Sequence, residues 1–240
     1  MYIETGWGQS LAACFGGYET ALTIHIWVGI FLLLLFVGHL VYLFLNIDWK
    51  NLSRLLNSPD SLLPRREDLT QFFQHLGWLI GLTEMPKFDR WGYWEKFDYW
   101  AVFWGMAIMG GTGLLLAYPL AASGFLPGWT LNVVFWIHRI EAMLAMGHVF
   151  IIHFFVGHLR RHNFPMDRAM FEGSVSLAAT QDEKPNWIYR LRQTGQLDSL
   201  LISGISGTRL TVFYLFGYLA IALGIYLLLG GLINSTSITW

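Results

Sequence analysis

The sequence predicts an all-α integral membrane protein, built as a four-helix bundle with both termini outside the membrane. Three observations predict this fold class. Hydrophobic residues make up 55% of the 240 residues and charged residues only 13%, whereas a soluble domain carries about 25% charged residues. Four apolar stretches each supply the roughly 20 residues that a membrane-crossing helix needs. Basic residues are confined, with one exception, to two of the segments that connect these stretches.

The spans and the positive charges together give a topology for a single membrane domain covering residues 1–240. The predicted spans are residues 21–45, 99–118, 131–159 and 210–233. Fourteen of the fifteen Lys and Arg residues lie in the segments 46–98 and 160–209. Because positive charge stays on the cytoplasmic side, both segments are predicted to be cytoplasmic loops.

The cysteine content excludes several kinds of site. Cys14 is the only cysteine. One thiol cannot build a disulfide framework, a thiolate zinc site or an iron–sulfur cluster held by this chain alone. It also cannot attach a haem covalently, which takes two cysteines followed by a histidine. The first twenty residues contain no Lys or Arg, so they do not predict a cleaved signal peptide.

Histidines occur at membrane depth in a regular pattern. Ionisable groups are costly inside a span and mark functional sites. His25 and His39 are 14 residues apart, so they lie within about 40° of one helix face and about 21 Å apart along the axis. His138 and His153 are 15 residues apart, which gives about 60° and about 22 Å. The first and third spans run in the same direction, so His25 pairs with His138 near the outer face and His39 with His153 near the inner face.

Two histidine pairs at two matched depths predict two b-type haems. Two neutral imidazoles can ligate one iron from opposite sides of a porphyrin. The predicted metal ligands are therefore His25, His138, His39 and His153. Small residues one turn after a ligand, Gly29 and Gly157, would leave room for the porphyrins. For the glycines of the second span, simple helix packing is an equally good explanation.

Two residues of the third span leave alternatives open. His148 could replace His153 as the inner ligand, although its rise from His138 is only about 15 Å. Arg139 is the one basic residue outside the two loops. It could bind the propionates of the outer haem, or it could pair with Glu141.

Four segments resemble a known family. They are KFDYWAVFWGMAIMGGTGLLLAYP, FWIHRIEAMLAMGHVFIIHFFVGH, FPMDRAMFEGSV and PNWIYR. They resemble the b-type cytochrome (gamma) subunit of membrane-bound formate dehydrogenases, in the superfamily shared with hydrogenase and thiosulfate reductase cytochromes b. The resemblance covers roughly residues 25–190. It implies that His25 and His138 share the outer haem and that His153 ligates the inner one. The family's inner partner lies on a helix for which this chain has no room, so His39 rests on spacing alone.

The resemblance also implies a function. It implies electron transfer across a bacterial or archaeal cytoplasmic membrane, between the quinone or menaquinone pool and a periplasmic or membrane-associated redox subunit. That partner would carry iron–sulfur clusters or c-type haems and the catalytic centre, since none is expected in this chain. A membrane anchor, or a proton-conducting transporter with a histidine relay, is the alternative. No nucleic-acid partner is expected.

A short motif is the candidate quinone site. The family's Lys-Tyr-Asn near the quinone reads Lys96-Phe97-Asp98 here. Asp98 could deliver protons to a quinone, or it could simply cap the second span. Lys96 and His158 are the other candidates for this site, and Lys96 could equally serve only the positive-inside pattern.

Overall fold

A computed structural model describes residues 4–204 and 207–235, and these residues form helices and connecting loops without a strand. The described chain contains twelve α-helices and two π-helical turns. In chain order they are α1 (Gly6–Cys14), α2 (Tyr18–Asn46), α3 (Leu52–Asn57), α4 (Arg66–Leu79), α5 (Tyr93–Ala117), α6 (Pro119–Ser123), α7 (Gly128–His148), the π turns Val149–His153 and Phe155–Leu159, α8 (Ala169–Glu172), α9 (Leu177–Glu183), α10 (Pro185–Gln193), α11 (Leu197–Leu200) and α12 (Thr208–Ile233).

Four of these helices are long and apolar enough to cross a membrane, which confirms the four predicted spans. They are α2, α5, α7 with the π turns that extend it to Leu159, and α12. Their ends agree with the predicted spans to within three residues, except that α5 begins at Tyr93 rather than near residue 99. The reason is a cap, because Glu95 Oε2 accepts a hydrogen bond of 2.7 Å from the N–H of Gly92. A carboxylate at the third helical position stabilises a helix start in this way.

The described chain divides into two compact units. The first contains α1, most of α2, α5 beyond Val102, α7 with its π turns, and most of α12. The second contains the connecting segments Phe44–Val102 and Asp167–Tyr214, which include the first turns of α5. The apolar spans therefore cluster in one unit and the charged connecting segments in the other.

Small residues bring helices of the first unit close together. A Cβ atom at Gly110 of α5 would lie 2.7 Å from the side chain of Leu33 on α2. A Cβ atom at Gly217 of α12 would lie 2.9 Å from the carbonyl oxygen of Pro165. Neither position could carry a larger residue without a shift of its neighbour, as is common where membrane helices pack on glycine.

Helix α1 lies beside the end of α12. The side chain of Trp7 occupies the space that a Cβ atom at Gly230 would need. The first and last described helices therefore meet at one end of the first unit. Their placement outside the membrane still rests on the distribution of basic residues and stays a prediction.

The third span changes its helical type in its second half. The N–H of Phe154 donates to the carbonyl of Val149, and the N–H of Arg160 donates to that of Phe155. Bonds between residues five apart define π turns, each of which accommodates one residue more than an α-helical turn. Such insertions are frequent at functional sites, and this one contains His153.

The second unit has its own small core and a set of ion pairs. Phe88, Ile188 and Leu191 are 1%, 3% and 5% exposed. The N–H of Asn186 donates to the carbonyl of Phe88, which joins the two connecting segments. Lys184 Nζ lies 2.7 Å from Glu95 Oε1. The predicted loops therefore fold together rather than remaining separate connections.

One arginine joins three parts of the second unit. The Arg190 guanidinium donates to Asp60 at 2.7 and 3.0 Å and to Asp89 at 2.6 Å. Hydrogen bonds from Arg190, with its positive charge, hold the pKa of Asp60 below its ordinary value, although partial burial opposes this shift. The ion pairs thus tie α10 to the segment that precedes α5.

Candidate functional site

The first predicted histidine pair comes together in the structure. The imidazole centroids of His25 on α2 and His138 on α7 are 6.3 Å apart, and the ring planes are inclined at 83°. Both rings line a cavity of about 200 Å³ between α2, α5 and α7. Its other lining residues are apolar or glycine, among them Gly29, Met109, Gly113 and Leu114. Two imidazoles therefore face an apolar space within the membrane-spanning unit.

The separation of the two rings fits one metal ion between them. A metal ion binds an imidazole nitrogen at about 2 Å, and two axial ligands on opposite sides then place the ring centroids roughly 6 Å apart. The observed separation is 6.3 Å. Axial imidazole planes can rotate about the axis that joins them, so the inclination of 83° is compatible with the same arrangement. The cavity is smaller than the roughly 300–1,000 Å³ of a typical ligand pocket, so a porphyrin would extend beyond its lining.

Thr112 fixes which nitrogen of His138 can act as a ligand. Thr112 Oγ1 lies 2.8 Å from His138 Nδ1 and donates to the carbonyl of Ile108 at 2.6 Å. A hydroxyl has a single hydrogen, and here it points to Ile108, so the oxygen accepts from Nδ1–H. The lone pair of a neutral His138 then lies on Nε2. Metal-binding histidines are commonly held in this way, by an acceptor on their second nitrogen.

Glycines give the pair its space. A Cβ atom at Gly113 of α5 would lie 3.4 Å from Cε1 of His138, so α5 passes within van der Waals distance of the ring. A Cβ atom at Gly29 would meet no atom within 4 Å. Gly29, predicted to leave room for a porphyrin, thus borders open space beside His25.

Arg139 lies directly after the ligand candidate of α7. Its guanidinium carbon is 5.5 Å from the ring centroid of Trp136. A cation held over an indole ring is stabilised by the charge distribution of the ring. Trp136 therefore holds the guanidinium of the residue that directly follows His138 on the same helix.

The second predicted pair lies on the same two spans. His39 is on α2, with its ring centroid 6.0 Å from that of Phe103. His153 ends the first π turn, and Gly157 lies in the second. The pairing of His39 with His153 stays a prediction.

The π turn corrects the angle expected for His153. A π turn rotates the chain by a smaller angle per residue than an α-helix, so the four residues after Val149 bring His153 closer to the face of His138 than the roughly 60° expected for a straight α-helix. His148 remains α-helical and lies about 80° away from the face of His138. The backbone therefore favours His153 over His148.

The candidate quinone residues have partners of their own. Lys96 is 3% exposed, and its Nζ donates to both carboxylate oxygens of Asp68 at 2.9 and 2.8 Å. His158 Nδ1 lies 3.0 Å from the carbonyl oxygen of Pro165. A carbonyl only accepts, so Nδ1 carries the hydrogen and Nε2 of a neutral His158 is left as an acceptor.

The alternative that Asp98 caps the second span is wrong. Helix α5 begins at Tyr93, so Asp98 lies inside the helix in its second turn. Glu95 makes the hydrogen bond at the helix start instead. The proton-delivery role of Asp98 stays a prediction.

No protein-family model, curated protein or solved structure matches the chain. The site is thus defined by its own geometry. Sequence reasoning missed the contribution of Thr112. The available signal was a hydroxyl residue within an apolar span, where it must find a hydrogen-bond partner.

Proposed function

We propose that the chain is a di-haem membrane cytochrome b that passes electrons between a partner redox protein and quinone. The observation that carries this proposal is the pair formed by His25 and His138, with ring centroids 6.3 Å apart beside an apolar cavity. The hydrogen bond from His138 to Thr112 supports it, because that bond leaves the lone pair of a neutral His138 on Nε2, where it can bind a metal. His25 and His138 would hold the outer haem.

His39 and His153 are proposed to hold the inner haem. The support is geometric, because the smaller rotation per residue of the π turn brings His153 closer to the face of His138 than a straight α-helix would. A rise of about 21 Å along α2 separates the two proposed sites. Within a hydrocarbon core of about 30 Å, each proposed haem site would then lie a short distance from the nearer membrane surface.

The residues of the chain have a limited set of tasks in this function. Each haem, when bound, would supply one-electron chemistry. The histidines ligate, Thr112 orients His138, and the apolar lining excludes water. Arg139, whose guanidinium lies over the ring of Trp136, is proposed to bind a carboxylate of the outer haem.

The physiological role that fits is a membrane subunit of a respiratory oxidoreductase in a bacterial or archaeal cytoplasmic membrane. The resemblance to formate dehydrogenase gamma subunits supports this role, and the partner would supply iron–sulfur clusters or c-type haems. Quinone or menaquinone would react at the inner side. Asp98, Lys96 and His158 are the candidates there, and Lys96 is paired with Asp68.

Histidine variants test the proposal. The purified full chain would be examined by its reduced-minus-oxidised visible spectrum, with haem and protein quantified. We expect His25→Ala and His138→Ala each to lose about half of the bound haem, since each of the two haems needs both of its axial ligands. His148→Ala is the matched control and should keep the full amount. A wild-type protein without haem would refute the proposal and favour an anchor or a proton-conducting transporter.

A further inference from the structure

One face of helix α4 contacts the first turn of α5. Asp68 receives the hydrogen bonds of Lys96. The ring centroid of Phe72 lies 5.4 Å from that of Tyr93, and His75 Nδ1 lies 3.0 Å from the hydroxyl oxygen of Tyr93. These residues recur at intervals of four and three, so they share one side of the helix. This side of α4 therefore packs against the first turn of α5.

A second face is apolar and turned away from the protein. We call it the apolar face of α4, and it consists of Leu69, Phe73, Leu76 and Ile80. At about 100° per residue these positions fall within about 60° of one another. Their side chains are 61%, 60%, 43% and 72% exposed. The exposure continues past the helix end, since Leu82 is 76% exposed.

The third face, opposite the apolar face, is polar over its first turns and ends at Trp78, which is 42% exposed. It is formed by Glu67, Thr70, Gln71 and Gln74, centred about 140° from the apolar face. The side chain of Glu67 is 69% exposed. The protein-contacting side lies between the two, about 100° from the apolar face. A helix that lies in the membrane surface beside a span would have these three faces. Its apolar face would meet lipid, its polar face would meet water, and its remaining side would meet the protein.

We propose that α4 lies in the membrane interface, with its apolar face inserted at the boundary between headgroups and acyl chains. An apolar face of this kind is uncommon on a water-exposed surface, and amphipathic interfacial helices insert such a face into lipid. The depth of α4 follows from its contacts. Tyr93 and Lys96 belong to the first turn of α5, a helix long and apolar enough to cross the membrane. Because α4 contacts Tyr93 and Lys96, it would lie at the depth where α5 enters the bilayer.

A nitroxide label at Phe73 would report the surroundings of the apolar face. Cys14 is the only cysteine, so Cys14→Ser provides a background in which a single introduced cysteine takes the label. The full chain carrying Phe73→Cys would be reconstituted into phospholipid bilayers. Collision of the label with oxygen, which concentrates in lipid, would be compared with collision with a water-soluble nickel chelate. Glu67→Cys, on the polar face, is the matched control, and Leu76→Cys is a second label on the apolar face.

The proposal predicts opposite accessibilities for the two faces. Labels at positions 73 and 76 should collide more with oxygen than with the nickel chelate, and the label at position 67 should show the reverse. Preferential collision with the chelate at positions 73 and 76 would show that the face meets water and would overturn the proposal. Exclusion of both reagents there would show that protein covers the face, which would overturn it equally.

Discussion

Replacing Thr112 by Val tests the geometry of the outer site most closely. The substitution keeps the shape of the side chain but removes the oxygen that lies 2.8 Å from His138 Nδ1. The Nδ1–H then has no acceptor, and an unsatisfied buried donor costs about 1–3 kcal/mol. Loss of the acceptor on a metal-binding histidine typically weakens binding by about 10- to 100-fold, which agrees with that free energy at about 1.4 kcal/mol per tenfold.

The assay is the rate at which haem leaves the purified protein for an excess of a haem-scavenging protein. We expect Thr112→Val to increase that loss for one haem of the two, by about 10- to 100-fold. The midpoint potential of the same haem should also change, because the hydrogen bond alters the basicity of the imidazole. Thr112→Ser keeps the hydroxyl and should behave as the wild type. Equal haem loss and equal potentials in the Val and wild-type proteins would refute the reasoning.

Three further predictions concern stability, measured as unfolding in detergent by circular dichroism. Lys96→Met should destabilise the second unit by about 3–5 kcal/mol, because it leaves the largely buried Asp68 without its ion-pair partner. Gly217→Ala should cost about 1–3 kcal/mol, because its Cβ would lie 2.9 Å from a backbone carbonyl oxygen. Arg190 lowers the pKa of Asp60 in the folded protein. The ionised Asp60 therefore stabilises the fold above its unfolded pKa of about 3.9. This stabilisation is lost as the pH falls through the lower pKa of the folded state. In Arg190→Gln, the part of the stability loss at low pH that comes from Asp60 should disappear.

Each of these predictions has a control. Lys50→Met replaces an exposed lysine and should change stability little. Gly38→Ala adds a Cβ that would meet no atom within 4 Å. Wild-type stability in Lys96→Met would contradict the importance of the buried pair. Gly217→Ala unfolding no earlier than Gly38→Ala would contradict the close approach of α12. Equal acid sensitivity in Arg190→Gln and wild type would contradict the assignment to Asp60.

The spans and one histidine pair were within reach of the sequence. The length of an apolar run predicts a span. Helical periodicity predicts the angle and the rise between His25 and His39, and the matching depths of His25 and His138, when the helices are straight. The start of α5 was not predictable in this way. It depends on the Glu95 side chain reaching back to Gly92, in a polar turn that precedes the apolar run.

The π turns were also out of reach. Nothing in the residue types of Val149–His153 distinguishes them from an α-helix, yet the additional residue rotates His153 toward the face of His138. The rise along the helix from His138 favours His153 over His148 as the inner ligand, and this rotation favours it more strongly. The rotation is a property of backbone hydrogen bonding rather than of composition.

The connecting segments held more structure than the distribution of basic residues indicates. Positive charge predicts their side of the membrane, but the burial of Lys96 depends on Asp68, 28 residues earlier. The apolar face of α4 was visible in principle, since Leu69, Phe73 and Leu76 recur at helical spacing. That spacing identifies an amphipathic helix but not which face the protein covers, and only the contacts with Tyr93 show that.

The haem content of the purified wild-type protein tests the central claim most directly. Haem is extracted and quantified against protein, and the reduced-minus-oxidised spectrum is recorded on the same sample. The account predicts about two b-type haems per chain, each with two axial histidines. About one haem per chain would contradict the pairing of His39 with His153 while leaving that of His25 with His138, and a protein free of haem would contradict both.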